Sequence, residues 1–146
     1  MKGPKTHALL LRQINAAMEK NVNNSLRGDG LTLAQMSMLL ELYDMPDRTL
    51  SLKELEATLQ LAQSTVAGIA ARLEQKGFLE YCEVPGDKRV KRVRMTAAGE
   101  ICSLRARGRV ADAEREVIED LSGAEQFHFL NLLNKVNEHL KSKAYD

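Results

Sequence analysis

LSLKELEATLQLAQSTVAGIAARLEQKGFLE, residues 50 to 80, reads as two helices joined by a few residues. Ser51 and Glu54 have the spacing of a capping box, in which a hydroxyl and a carboxylate close a helix's first turn reciprocally. The short helix that follows has Leu52, Leu55 and Leu59 as its inner positions and ends near Gln60. The second runs from Gln63 to Lys76, with Val66, Ile69, Ala70 and Leu73 on one side and Ser64, Thr65, Gly68, Ala71 and Arg72 around the other. Gly77 supplies its C-terminal stop. Such a pair fits a helix-turn-helix whose second helix turns a small, polar face outward.

Directly downstream, FLEYCEV (78–84) is rich in aromatic and β-branched residues, Pro85-Gly86-Asp87 is a turn signal, and Val93 and Met95 alternate with Arg92 and Arg94. These features predict a hairpin with one apolar face. Its sequence, VPGDKRVKRVRMT (84–96), gathers Lys88, Arg89, Lys91, Arg92 and Arg94 against the single acid Asp87. The whole chain carries 21 Lys and Arg against 20 Asp and Glu, so affinity for a polyanion has to come from such local clustering.

Upstream, residues 6–27 place Leu10, Leu11, Ile14, Ala17, Met18, Val22 and Leu26 at helical intervals, and Gly28-Asp29-Gly30 ends the run. Thr32 with Gln35 opens a second helix carrying Met36, Leu39, Leu40 and Tyr43, stopped by Met45-Pro46-Asp47, and Thr49-Leu50 reads as extended. Beyond the hairpin, Thr96 can cap a helix to about Asp120, although Gly99 in its first turn works against it. A last helix opens at the Ser122 and Glu125 box and carries Phe129, Leu130, Leu133, Val136 and Leu140. The fold class expected is mainly α with a small β-hairpin wing (α+β).

With 146 residues, 44% of them hydrophobic and 28% charged, the chain can bury a real core as one domain. Cys82 and Cys102 make no disulfide framework, which points to a reducing cytoplasm, and no apolar run reaches the length of a signal-peptide core or a membrane span. His7, His128 and His139 are scattered with no ligand spacing, so no metal or cofactor is expected, and no catalytic constellation marks an enzyme.

Three segments, LTLAQMSMLLEL (31–42), residues 50–80 and DKRVKRVRMTAAG (87–99), together resemble the MarR family of bacterial transcription regulators. The resemblance implies a winged helix-turn-helix lobe over 31–99 and a helical dimerisation region from 1–30 and 100–146. It further implies a homodimer on double-stranded DNA at an approximately palindromic operator, most often a repressor, released by a small molecule of aromatic or phenolic kind. The broad apolar spread of the first helix, and Phe127 lying off the main stripe of the last, are compatible with faces that meet a second chain.

Within that frame Gln63, Ser64 and Thr65 stand at a helix N-terminus, where backbone N–H groups suit phosphate and short side chains reach base edges. Arg89 is the minor-groove probe, its planar guanidinium being permanently charged. By resemblance Asp87 orients Arg89 through an ion pair, Lys88 and Lys91 meet phosphates, and Arg72 lies beside the DNA backbone, while Arg92 and Arg94 serve solvation or partner acids. Two departures stand out. Gln60 and Ala62 replace the family's frequent Gly and Ser, so either Ser64 caps the helix a turn later or DNA phosphate supplies the acceptor; and Ala67 and Gly68 replace larger polar or basic side chains. The rival readings are a winged-helix module that binds protein through Glu-rich helical faces, and a thiol-based redox sensor using Cys82 or Cys102, which are otherwise inert buried thiols. Met18, Met36, Met38 and Met45 suit core filling, with a ligand cleft as the alternative.

Overall fold

Three capping boxes set the helical frame, and the computed structural model, which describes residues 3–143, places each where its sequence signal lies. Helix α1 (His7–Leu26) and a 3₁₀ turn (Arg27–Asp29) lead into α2 (Leu33–Tyr43), whose Thr32 and Gln35 make both bonds of a capping box. Strand β1 (Thr49–Ser51) passes at once into α3 (Leu52–Leu59), where Glu54 N–H donates to the Ser51 hydroxyl at 3.0 Å and Ser51 N–H to the Glu54 carboxylate at 2.7 Å. Helix α4 (Gln63–Gln75), strands β2 (Leu79–Val84) and β3 (Asp87–Met95), α5 (Ala97–Ile118) and α6 (Gly123–Lys143) complete the order.

The predicted hairpin is part of a three-stranded antiparallel sheet, ordered β1-β3-β2. Thr49, Leu50 and Ser51 pair with Arg94, Val93 and Arg92, and all three are buried. This short strand ties the wing's base to the start of α3, so the wing and the helix-turn-helix are one unit. As expected, Val93 and Met95 are buried beneath the hairpin. Leu26, Met36, Met38, Leu39, Leu42, Leu55, Val66, Leu73 and Leu79 fill the same core. Met36 and Met38 are therefore packing residues rather than the wall of an open cleft.

Basic side chains fasten the loops around that core. Arg48, at φ 56°, donates to the Tyr43 and Met45 carbonyls, lies 4.3 Å over the Tyr43 ring, and pairs with Glu100 on α5 at 3.2 Å. Lys76 donates to the Gly30 carbonyl and to Gln35 Oε1, joining the end of α4 to the turn before α2. Arg109 holds Asp29 at 2.6 Å and the Ser25 carbonyl at 3.2 Å. The Asp29 carboxylate is only 8% exposed, which makes this pair the best shielded of those described.

Helix α5 starts where Thr96 predicts: its hydroxyl accepts Gly99 N–H at 3.1 Å and donates to the Gly77 carbonyl at 2.6 Å. Gly99 does not break the helix, because the local cost of glycine is overridden by close packing on the Phe78 backbone.

The chain divides into two compact units, one up to Ala113 and one from Glu114 onward. The second is the end of α5 turned into α6 through the Ser122 and Glu125 capping box, with Gln126 Nε2 donating to the Ile118 and Leu121 carbonyls, both at 3.1 Å. None of the described α6 residues is buried, and Phe127, Leu130, Leu132 and Leu140 are each at least 60% exposed. No described helix is long and apolar enough to cross a membrane.

Candidate nucleic-acid interface

Gln60 ends α3 in the left-handed conformation at φ 55°, the backbone state that a glycine adopts without cost. Its side-chain amide donates to the Ala57 carbonyl at 2.7 Å, which helps hold the corner. Ala62 is then the N-cap of α4 and offers no side-chain acceptor. The alternative that Ser64 caps a turn later does not hold, since the helix already starts at Gln63 and Ser64 lies within its first turn. Ala62→Ser is expected to raise stability by ~1 kcal/mol, read in thermal or urea melts. An unchanged melt would mean that the first turn gains nothing from an acceptor.

Core packing of Val66, Ile69, Ala70 and Leu73 dictates which side of α4 faces out. Gln63, Ser64, Thr65, Ala67, Gly68, Ala71 and Arg72 are all exposed. Two recesses flank this face. One, of about 490 Å³, has Gln63 and Ala67 on one wall, Arg89 and Lys91 on another, and Lys53 of α3 beside them. The other, of about 340 Å³, groups Ser64, Thr65, Gly68 and Arg72 with Thr32 and Gln35 from the start of α2.

The register of the wing slips near its tip. Glu83 pairs with Lys91 but Val84 pairs with Asp87, leaving Lys88, Arg89 and Val90 between the two paired positions. A bulge of this kind redirects side chains at the end of a hairpin. Gly86, at φ 93°, allows the tight turn. The expected ion pair between Asp87 and Arg89 is corrected here: the Asp87 carboxylate accepts the Arg89 backbone N–H at 3.0 Å. With only Lys88 between them, a short carboxylate meets the main chain more readily than a long guanidinium, as in an Asx turn. Asp87 therefore braces the backbone of the bulge and leaves the Arg89 side chain exposed.

Of the eight sequence-predicted residues, Gln63, Arg89 and Lys91 share one recess, and Ser64, Thr65 and Arg72 the other. Asp87 and Lys88 line a third hollow on the hairpin with Tyr81, Cys82 and Lys91. Lys53 was not singled out from the sequence. Its signal is its place in the first turn of α3, two residues after the capping Ser51.

Arg92 meets a partner acid as expected, whereas Arg94 meets a hydroxyl. Arg92 lies 4.0 Å from Glu54, and Arg94 Nε is 3.4 Å from the Thr49 hydroxyl. Acceptance of the Ser51 backbone N–H holds the Glu54 carboxyl below its usual range, with Arg92 adding to this. Cys102 is buried, and burial pushes its thiol up, away from reactive thiolate character. Cys82 is only half-buried, which corrects its expected place in the core: it pairs opposite Arg92, on the face of the hairpin away from Val93.

A helix-turn-helix followed by a bulged basic wing, with a third strand anchoring the wing to the helix pair, defines a winged helix-turn-helix. Residues 29–90 match the sequence model of the MarR family. It is 26% identical to the HTH-type transcriptional regulator YsmB of Bacillus subtilis (strain 168) over 133 residues, spanning 91% of this chain and 90% of the relative. Its fold matches an S. aureus MepR–DNA complex with a TM-score of 0.87 at 22% identity, over 93% of this chain and 99% of that one. An E. coli MarR mutant complexed with operator DNA matches with a TM-score of 0.80 at 25% identity, over 87% of this chain and 90% of that one.

Proposed function

We propose that this chain acts as a homodimer that binds double-stranded DNA at an approximately palindromic operator, represses from there, and lets go when a small aromatic or phenolic ligand binds. The observation that carries the reading is the recess in which Gln63 of α4 faces Arg89 and Lys91 of the wing. A helix face and a basic hairpin offered on one side of a lobe suit a major groove and its neighbouring minor groove. The likeness to a MarR protein seen on operator DNA supports the same partner.

In this reading Gln63, Ser64 and Thr65 reach base edges, Arg89 enters the minor groove, and Arg72, Lys88 and Lys91 meet phosphates, with Asp87 bracing the bulge. DNA phosphate completes the first turn of α4 that Ala62 leaves without a side-chain acceptor. Residues 31–99 form the DNA-binding lobe, and 1–30 with 100–146 form the dimerisation region. Leu9, Leu10, Leu11 and Ile14 of α1 are exposed, as are Phe127, Leu130, Leu132, Val136 and Leu140 of α6, and each of these apolar faces is suited to cover by a second copy. Two recognition helices about 34 Å apart meet successive major grooves. A ligand that prefers a different lobe spacing releases both half-sites together.

Gel retardation with the DNA upstream of the protein's own gene and its neighbours tests this, alongside sedimentation to give the subunit count. A dimer that shifts one such fragment, and releases it on addition of a phenolic compound, is expected. Failure to retain any duplex at low salt would sink the reading. Release by an oxidant alone would move the sensing role to Cys82 or Cys102.

A further inference from the structure

Gly68 sits in the interior of α4, where glycine costs helix stability relative to alanine because it gives up more backbone freedom on folding. Nothing within the chain offsets that cost. A Cβ built at Gly68 meets no atom within 4 Å, and its φ is not among the positive ones that favour glycine. Gly99 is the opposite case, a helical glycine demanded by a neighbouring backbone. Gly108 in α5 is also open, so openness alone decides nothing.

What sets Gly68 apart is its surroundings. Ser64 and Arg72 lie one turn before and one turn after it on the same face, and all three line the recess shared with Thr32 and Gln35. Its neighbour Ala67 lines the other recess, with Arg89 and Lys91. Gly68 thus stands on the crest of α4 between two recesses that carry basic side chains, at the point where a longer side chain would project furthest.

We infer that Gly68 is a specificity-determining residue, an inference that rests on the DNA-binding reading above. It lets the main chain of α4 approach the base-pair edges, and it leaves room for a group that projects from them. In the major groove that group is the C5-methyl of thymine, the one methyl group the bases present there. The helix thereby reads a T·A pair by fit where a longer side chain would read it by hydrogen bonds, which accounts for an exposed recognition helix so poor in polar reach.

The test uses the full-length protein and a duplex recovered by the wild type from a randomised pool, with a matched duplex of scrambled sequence as control. Gly68→Ala should raise the melting temperature by ~2–4 °C. It should weaken binding to the selected duplex by about tenfold or more, the scale of one mismatched base pair, with little change on the scrambled one. Replacing the half-site thymines by deoxyuridine, which removes the methyl groups, should weaken wild-type binding and narrow the gap between the two proteins. Gly68→Leu should lose more than Gly68→Ala. Undiminished affinity of Gly68→Ala, a fall in its melting temperature, or a gap that persists with deoxyuridine overturns the inference. Arg89→Ala separates the two levels: if it also binds as tightly as wild type, DNA recognition by this face fails, whereas its loss beside an unaffected Gly68→Ala rejects Gly68 alone.

Discussion

Arg89→Ala combined with Lys91→Ala is expected to weaken operator binding by about a hundredfold at physiological salt, and to flatten the dependence of log affinity on log salt by about one to two units. Both side chains are exposed, and no ion pair holds either among the described residues. Their removal therefore leaves the fold without a lost partner. The brace of the bulge also survives, because Asp87 accepts the main-chain N–H of residue 89, which alanine retains. The melting temperature should stay within a degree or two while affinity collapses. In the proposed reading Lys91 contributes mostly through counterion release, which is independent of sequence, whereas Arg89 adds the preference for a narrow groove. The single variants should accordingly divide the effect: Lys91→Ala weakens all duplexes alike, and Arg89→Ala costs more on the operator than on scrambled DNA. Anisotropy titrations across a salt series measure both, and an unchanged slope would remove the wing from the interface.

The parts of this fold legible in the sequence were those whose causes are local. Thr32 with Gln35, Ser51 with Glu54, and Ser122 with Glu125 each announce a helix start within four residues, and each start falls there. The core side of α4 followed from spacing alone. What escaped depended on partners distant in the chain. Thr49-Leu50 was legible as an extended piece, but its pairing with Val93 and Arg94, which makes it a strand of the sheet, was not. Arg48 looks like any loop arginine until Glu100, 52 residues on, is found beside it. At the candidate site the residue types were readable, but the three-residue slip in the hairpin register was not, since the alternation of Val93 and Met95 with Arg92 and Arg94 stops short of residues 87 to 91, where pairing changes. The role of Asp87 went wrong for a related reason. The resemblance implies an ion pair there, and only backbone geometry shows that the carboxylate is already engaged by the main chain.

Gly99→Ala is expected to be the most damaging single-methyl change in the chain, destabilising it by roughly 3 kcal/mol or more. A Cβ at this position would lie 2.1 Å from the Phe78 carbonyl oxygen and 2.9 Å from its carbon, with Met95 Cγ at 3.1 Å. The methionine can swing aside; the carbonyl cannot. Phe78 O also accepts the Thr96 N–H at 3.1 Å, while Phe78 N–H is bonded to the Leu73 carbonyl at 3.0 Å, so the backbone of this residue is held on both sides. Relief would require the first turn of α5 to lift away from the junction of α4 and β2. Thr96 would then lose its hydroxyl bond to the Gly77 carbonyl as well. In a solvent-exposed helix the same exchange would stabilise by up to about 1 kcal/mol, so the sign of the effect is itself diagnostic. A melting temperature lowered by several degrees, with a matching fall in the urea midpoint, is the expected outcome. Since α5 leads from the wing into the proposed dimerisation region, a variant that still folds should bind operator more weakly by tilting that exit, even though Gly99 is remote from the recess of Gln63 and Arg89. A melt equal to or above wild type would show that the junction yields, and that glycine at this position is not required by packing.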